Sequence, residues 1–131
     1  MLDTHGLFSP LDRLEPVATG TEITELIGAV RGVHVADSLR HYVISLVNAT
    51  RSSPELRLGA SPRATLHLLR ACRAYAALEG RDFVIPDDVQ ALAVPVLAHR
   101  LLPTADAIIE RKAPERVLKQ LLQRVPLPQR T

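Results

Sequence analysis

The residue best placed for anion chemistry in this sequence is Arg63, and its placement breaks a rule. The run Leu58-Gly59-Ala60-Ser61-Pro62-Arg63-Ala64 reads as a glycine-containing loop passing into a helix. Ser61 is a good N-cap, because its hydroxyl can accept from a backbone N–H left unpaired in the first turn. Pro62 then falls at the first helical position, where a missing N–H costs nothing and the ring already fixes a helical φ. Arg63 follows at once, at the end of the helix that carries roughly half a positive charge, where an exposed cation is disfavoured by about 0.3–1 kcal/mol. Either the guanidinium bends back into solvent or meets a nearby carboxylate, or it is aimed, together with the free N–H groups, at a shared anion.

The remaining candidates for chemistry are quickly narrowed. The only lysines, Lys112 and Lys119, belong to no glycine-rich phosphate loop. Gly59-Ala60-Ser61 opens like a nucleophile elbow, but Arg63 stands where a glycine is required. The histidines, His5, His34, His41, His67 and His99, lack the close pairing of a helical metal site, and His99 suits a helix end. Cys72 is the single cysteine, which excludes an intrachain disulfide and a cysteine-based zinc site. The acid pair Asp87 and Asp88 is explained by helix capping. No catalytic constellation and no metal site emerge.

The elements that must position Arg63 are helical. A chain of 131 residues that is 47% hydrophobic suits one domain with a modest core. Two Tyr, two Phe and no Trp leave that core to Leu, Val, Ile and Ala, which favours a mainly α fold of packed helices. The net charge is only +2, yet the pI is 9.1 and 14 of the 16 basic residues are arginine, which suits anion contacts without naming the anion. Arg63, His67, Arg70 and Arg73 recur at intervals of three or four, as a solvated face or a binding stripe. No basic n-region with an apolar run opens the chain, and no apolar stretch is long enough to span a membrane, so a cytoplasmic protein without a membrane partner is expected.

Taken in order, residues 1–18, with Gly6, Pro10 and Pro16, read as a connecting segment that Leu11, Leu14 and Val17 could pin to a surface. Residues 19–125 form the domain. Thr19 and Glu22 have capping-box spacing, and Ile23, Leu26, Ile27 and Val30 give a helix over about 20–31 that Gly32 ends. Val33-His34-Val35 is short and β-like. A second helix from Asp37 to about Ser52 has the apolar face Leu39, Val43, Leu46, Val47 and Thr50, with Tyr42 alongside. The third runs from Pro62 to Leu78, stops at Gly80, and buries Leu68, Leu69, Cys72, Tyr75 and Ala76. After an extended stretch over 81–85, Pro86 opens a fourth helix with Val89, Leu92, Ala93 and Val96 inward and a kink at Pro95. The β-branched pair Ile108 and Ile109 points to a short strand or hairpin arm within 100–112. Val117, Leu118, Leu121 and Leu122 mark a last helix over about 113–124, and residues 126–131 are a loose tail.

Several runs together resemble the lid of MoxR-family AAA+ ATPases. They are Tyr42-Val43-Ile44-Ser45-Leu46-Val47-Asn48-Ala49-Thr50-Arg51, Leu58 to Ala64, Gly80-Arg81-Asp82-Phe83-Val84, Pro86-Asp87-Asp88-Val89 and Val96-Leu97-Ala98-His99-Arg100-Leu101, all in the family's order. Pro10 to Val17 is similar to the connection from ATPase core to lid, so the likeness covers roughly residues 5–125. It implies a small helical lid bundle of four to five helices, with Arg63 as the sensor-2 arginine reaching the γ-phosphate of ATP and Ser61 and Pro62 shaping that nucleotide-binding end. It also implies a core that holds ATP and Mg²⁺ but is missing here, so this chain reads as a fragment with no ATPase activity and no cofactor of its own. The partners it implies are that core, neighbouring subunits of a hexameric ring, and a von Willebrand factor A-domain protein, in chaperone-like remodelling or maturation of protein complexes. One departure stands out: Ile85 replaces the usual Thr or Ser cap before Pro86. The competing reading is a basic helical module for nucleic acid or for another protein. Few aromatics and a small net charge count against nucleic acid.

Overall fold

The computed structural model describes residues 13–128. Among them six α-helices and one two-stranded sheet are formed: α1 (Gly20–Gly32), α2 (Asp37–Arg51), β1 (Leu56–Leu58), α3 (Pro62–Leu78), α4 (Pro86–Leu97), β2 (Leu102–Pro103), α5 (Ala105–Ile109) and α6 (Pro114–Arg124). A 3₁₀ turn, Ala98–Arg100, extends α4. The connecting segment and the tail expected at the two ends fall partly outside the described residues. Within them, Leu14 and Val17 are exposed and pin nothing, and Leu11 lies outside.

The third helix is the centre of the domain. It packs chiefly against α4, with α2 and α1 on its other sides, while α6 closes the bundle against α2 and α4. Its buried residues are Ala64, Leu68, Cys72 and Ala76, one per turn, so the stripe is narrower than the spacing suggested. Leu69 is half-buried and Tyr75 is exposed. The α2 face is as expected: Leu39, Tyr42, Val43, Leu46, Val47 and Thr50 are all buried. Each such Leu or Val stabilises the fold by about 1.5–3 kcal/mol. Val117, Leu118 and Leu121 of α6 and Val89, Ala93 and Leu97 of α4 complete the core.

Caps and turns hold the helix ends. Gly80 adopts φ +72°, which lets the Gly80 and Arg81 N–H groups donate to the Ala77 and Ala76 carbonyls at 3.0 and 2.8 Å. Ile85 offers no side-chain cap to α4. Asp88 supplies the missing order instead: its carboxylate accepts from the Ile85 N–H at 2.9 Å and from both Arg81 terminal nitrogens at 2.9 and 2.7 Å. That carboxylate is buried, and the bidentate arginine keeps its charge paired there. The β-like Val33-His34-Val35 and the extended 81–85 stretch meet as a parallel bridge, His34 with Phe83.

The expected strand or hairpin arm within 100–112 is corrected in two respects. Its strand is only Leu102–Pro103, and it pairs with β1 rather than folding back on itself. The β-branched residues Ile108 and Ile109 lie in α5, because Thr104 caps that helix by accepting from the Ala107 N–H at 3.3 Å. Arg111 then takes a left-handed φ of 53°, and Lys112 forms ion pairs with Glu55 and Glu110, both at 2.7 Å. The Glu110 carboxylate first, then Glu55, holds the Lys112 ammonium above its usual pKa.

Burial, reinforced by the Asp88 carboxylate, pushes the Cys72 thiol from its ordinary 9.0 up to about 12. The thiol is therefore neutral in the folded state where an unfolded thiol would ionise, so stability is fully present below pH 9 and declines as pH rises from there towards 12. Cys72→Ser is expected to lose about 1–3 kcal/mol near neutral pH, because it puts a polar hydroxyl into a fully buried apolar seam. Thermal melts of wild type and variant between pH 7 and 10 check both points: the variant should melt lower at pH 7, and the gap should narrow as pH rises.

Candidate functional site

The start of α3 is set by the end of α2. Thr50 is fully buried in the last turn of α2, where its hydroxyl donates to the Val47 carbonyl at 2.6 Å and accepts from the Ala60 N–H at 2.9 Å. This bond draws the loop before α3 against the helix. Gly59 makes the approach possible: a Cβ added there would fall 2.6 Å from the backbone N and Cα of Arg51 and the carbonyl carbon of Thr50. On the other side, β1 pairs with β2, with Leu58 opposite Leu102.

Ser61 then caps α3 as its residue type predicts, its Oγ accepting from the Ala64 N–H at 3.4 Å, and Pro62 occupies the first turn. Arg63 is exposed. None of the described residues forms an ion pair or a side-chain hydrogen bond with it, so the nearby carboxylate considered for it is not there. Beside this end lies an open recess of about 360 Å³, bordered by Gly59, Ala60, Ser61 and Pro62 and by two exposed arginines, Arg51 and Arg100. The helix N-terminus, its capped N–H groups and the flanking guanidinium groups give this corner the chemistry of a phosphate or carboxylate site.

Sequence reasoning did not bring Arg51 and Arg100 to this corner. Arg51 was legible only as a residue off the apolar face of α2. Arg100 reaches the recess because the 3₁₀ turn and β2 bring residues 98–103 alongside β1, a pairing that no local pattern announces. The rest of the arginine stripe separates from the site. His67 is half-buried, while Arg70 and Arg73 border a groove between α3 and α1. Among the described residues no group of three or more His, Cys, Asp and Glu side chains could hold a metal ion, and no helix is long and apolar enough to cross a membrane.

The AAA lid domain family matches residues 48–121. YeaC of Bacillus subtilis is 37% identical over 119 residues, which are 91% of this chain and 37% of YeaC. Chaperone MoxR1 of Mycobacterium tuberculosis is 43% identical over 112 residues, 79% of this chain and 29% of that protein. The crystal structure of a Cytophaga hutchinsonii protein put forward as an ATPase superposes with a TM-score of 0.79 at 27% identity, over 83% of this chain and 36% of that one. The chain thus spans 29% to 37% of the length of these proteins.

Two outcomes test the site's construction. Gly59→Ala should destabilise the domain by about 1–3 kcal/mol, the usual range for forced overpacking, seen as a lower denaturant midpoint. Arg63→Ala in this chain should be neutral or stabilising by up to about 1 kcal/mol, because it removes a cation from a positive helix end. A large loss of stability on thermal melting would instead make Arg63 a structural residue.

Proposed function

The chain belongs to the AAA lid domain family, in its MoxR branch, and from that premise we propose that it is the lid that closes over ATP held on an AAA+ core and senses the nucleotide through Arg63. The observation that carries this reading is the exposed Arg63 at a capped helix start, without an internal partner among the described residues and one residue beyond the recess that Arg51, Pro62 and Arg100 border. A cation kept at an unfavourable position, with nothing inside the domain to pair with, suits an anion brought by another domain. The γ-phosphate of ATP has that charge and would meet Arg63 when lid and core close. Ser61 and Pro62 hold the helix end in place, and Arg51 and Arg100 add positive potential around it.

In the longer protein, Mg²⁺ would neutralise phosphate charge on the core, and no residue of this domain is assigned to hold it. Ring assembly, most simply a hexamer, would place each lid between two cores, so that closure couples hydrolysis to chaperone-like remodelling or maturation of protein complexes. A von Willebrand factor A-domain protein is the partner class this reading favours, in a cytoplasmic setting. The chain alone should neither hydrolyse ATP nor bind it better than millimolar, since one arginine and a few N–H groups do not replace a phosphate loop.

Arg63→Ala in the full-length parent ATPase is expected to lower steady-state hydrolysis by about tenfold or more, the scale of losing one charge contact to a transition state. Wild-type hydrolysis in that variant, with an intact ring, would remove Arg63 from nucleotide sensing.

A further inference from the structure

We propose that the groove between α1 and α3 is a docking site for an amphipathic helix whose apolar stripe is flanked by Asp and Glu. The first helix is the odd member of this fold. It is ordered at its start by a full capping box: the Thr19 hydroxyl accepts from the Glu22 N–H at 3.2 Å, and the Glu22 carboxylate accepts from the Thr19 N–H at 2.6 Å. Its apolar residues nevertheless find no core. No residue of α1 is buried, and Ile23, Leu26 and Ile27 are 47%, 59% and 48% exposed. A helix of 13 residues is marginal in water on its own, so an apolar stripe left open along it is a face that another surface completes.

The charge around the stripe says what that surface carries. Ile23, Leu26, Ile27 and Val30 line a groove of about 610 Å³ whose remaining lining is Ala74 and three arginines, Arg31, Arg70 and Arg73. Among the described residues no acidic side chain lines it, and the Glu22 carboxylate is engaged with Thr19. Arg73 is half-buried at the groove, and its cationic side chain, like those of Arg31 and Arg70, is complementary to a carboxylate. An apolar floor rimmed by three arginines is complementary to a helix of Leu or Ile at i, i+3, i+4 and i+7 with acids on either side. The groove lies away from Arg63, and α1 lies outside the residues matched by the lid family, so this site is separate from the nucleotide-sensing one.

The test uses the full chain, isotope-labelled, and two synthetic 18-residue amphipathic peptides that share one leucine stripe and differ only in flanking Glu or Lys. The Glu peptide should shift the amide signals of residues 23–31 and 70–74 and bind about tenfold or more tightly than the Lys peptide, a difference of about 1.4 kcal/mol. Leu26→Asp and Arg70→Glu, both at exposed positions, should each weaken the Glu peptide by about tenfold, and Arg70→Glu should also erase its advantage over the Lys peptide. Arg63→Ala should leave this binding unchanged, which separates failure here from failure of the nucleotide reading. Equal affinity for the two peptides, shifts confined to other surfaces, or no binding at millimolar peptide would overturn the proposal. So would self-association of the chain that Leu26→Asp abolishes and the Glu peptide does not compete with, or binding to anionic phosphatidylglycerol vesicles that the peptide fails to displace.

Discussion

One buried hydroxyl fixes where the third helix begins. Thr50 sits in the last turn of α2 and bonds at once to its own helix and to the loop that precedes α3. A threonine bonded only to its own helix would be a minor local feature. Here the same oxygen also accepts from Ala60, so the end of one helix becomes the anchor for the start of the next. Gly59 allows the two backbones to lie closer than any side chain would permit. The direction of α3, and with it the position of Ser61, Pro62 and Arg63, follows from that contact.

From this anchored start α3 separates three tasks around its circumference. The one-per-turn line of Ala64, Leu68, Cys72 and Ala76 forms the seam of the bundle. Its N-terminal end presents Arg63 and forms one side of the recess that Arg51 and Arg100 border. Further along, Arg70 and Arg73 face α1. The sequence shows these arginines as one periodic stripe, but the fold assigns them to two surfaces about two turns apart. A stripe shared between two surfaces also explains why its net positive charge need not signify nucleic acid. The arginines are distributed between distinct small sites and do not track a single long backbone.

Much of this was legible from residue types alone. All five residues expected on the apolar face of α2 are buried, and Tyr42 alongside them is too, because their spacing repeats the helical period. The cap at Ser61 and the stop at Gly80 follow from side-chain chemistry and from glycine's access to positive φ. What was not legible depended on distant parts of the chain. Ile108 and Ile109 favour a strand by type, yet the Thr104 cap and the pairing of the preceding residues with β1 settle them in a helical turn. Tyr75 has the period of a core residue, yet it lies beside the one-per-turn buried line of α3 and stays exposed. Arg100 could not be joined to Arg63 without the β1–β2 pairing, and the open face of α1 could be recognised as open only once its surroundings were known.

The paired connections have a consequence for how the domain opens. The segment between α1 and α2 is hydrogen-bonded to the segment between α3 and α4, through His34 N–H to Asp82 and Val84 N–H to His34. The segment before β1 is likewise bonded to the residue that caps α5, through Thr104 N–H to Glu55 across 49 positions of chain. Loops tied only to their own neighbours exchange their amide hydrogens by local fluctuation. Here each loop is bonded to a distant one, so the amides of His34, Val84 and Thr104 are expected to exchange through a wider opening that releases both partners together. The uncovered first helix stands outside that unit. Its amides are expected to exchange faster than those of the core and to slow when its open face is occupied, so amide exchange in α1 would report whether that face is in use.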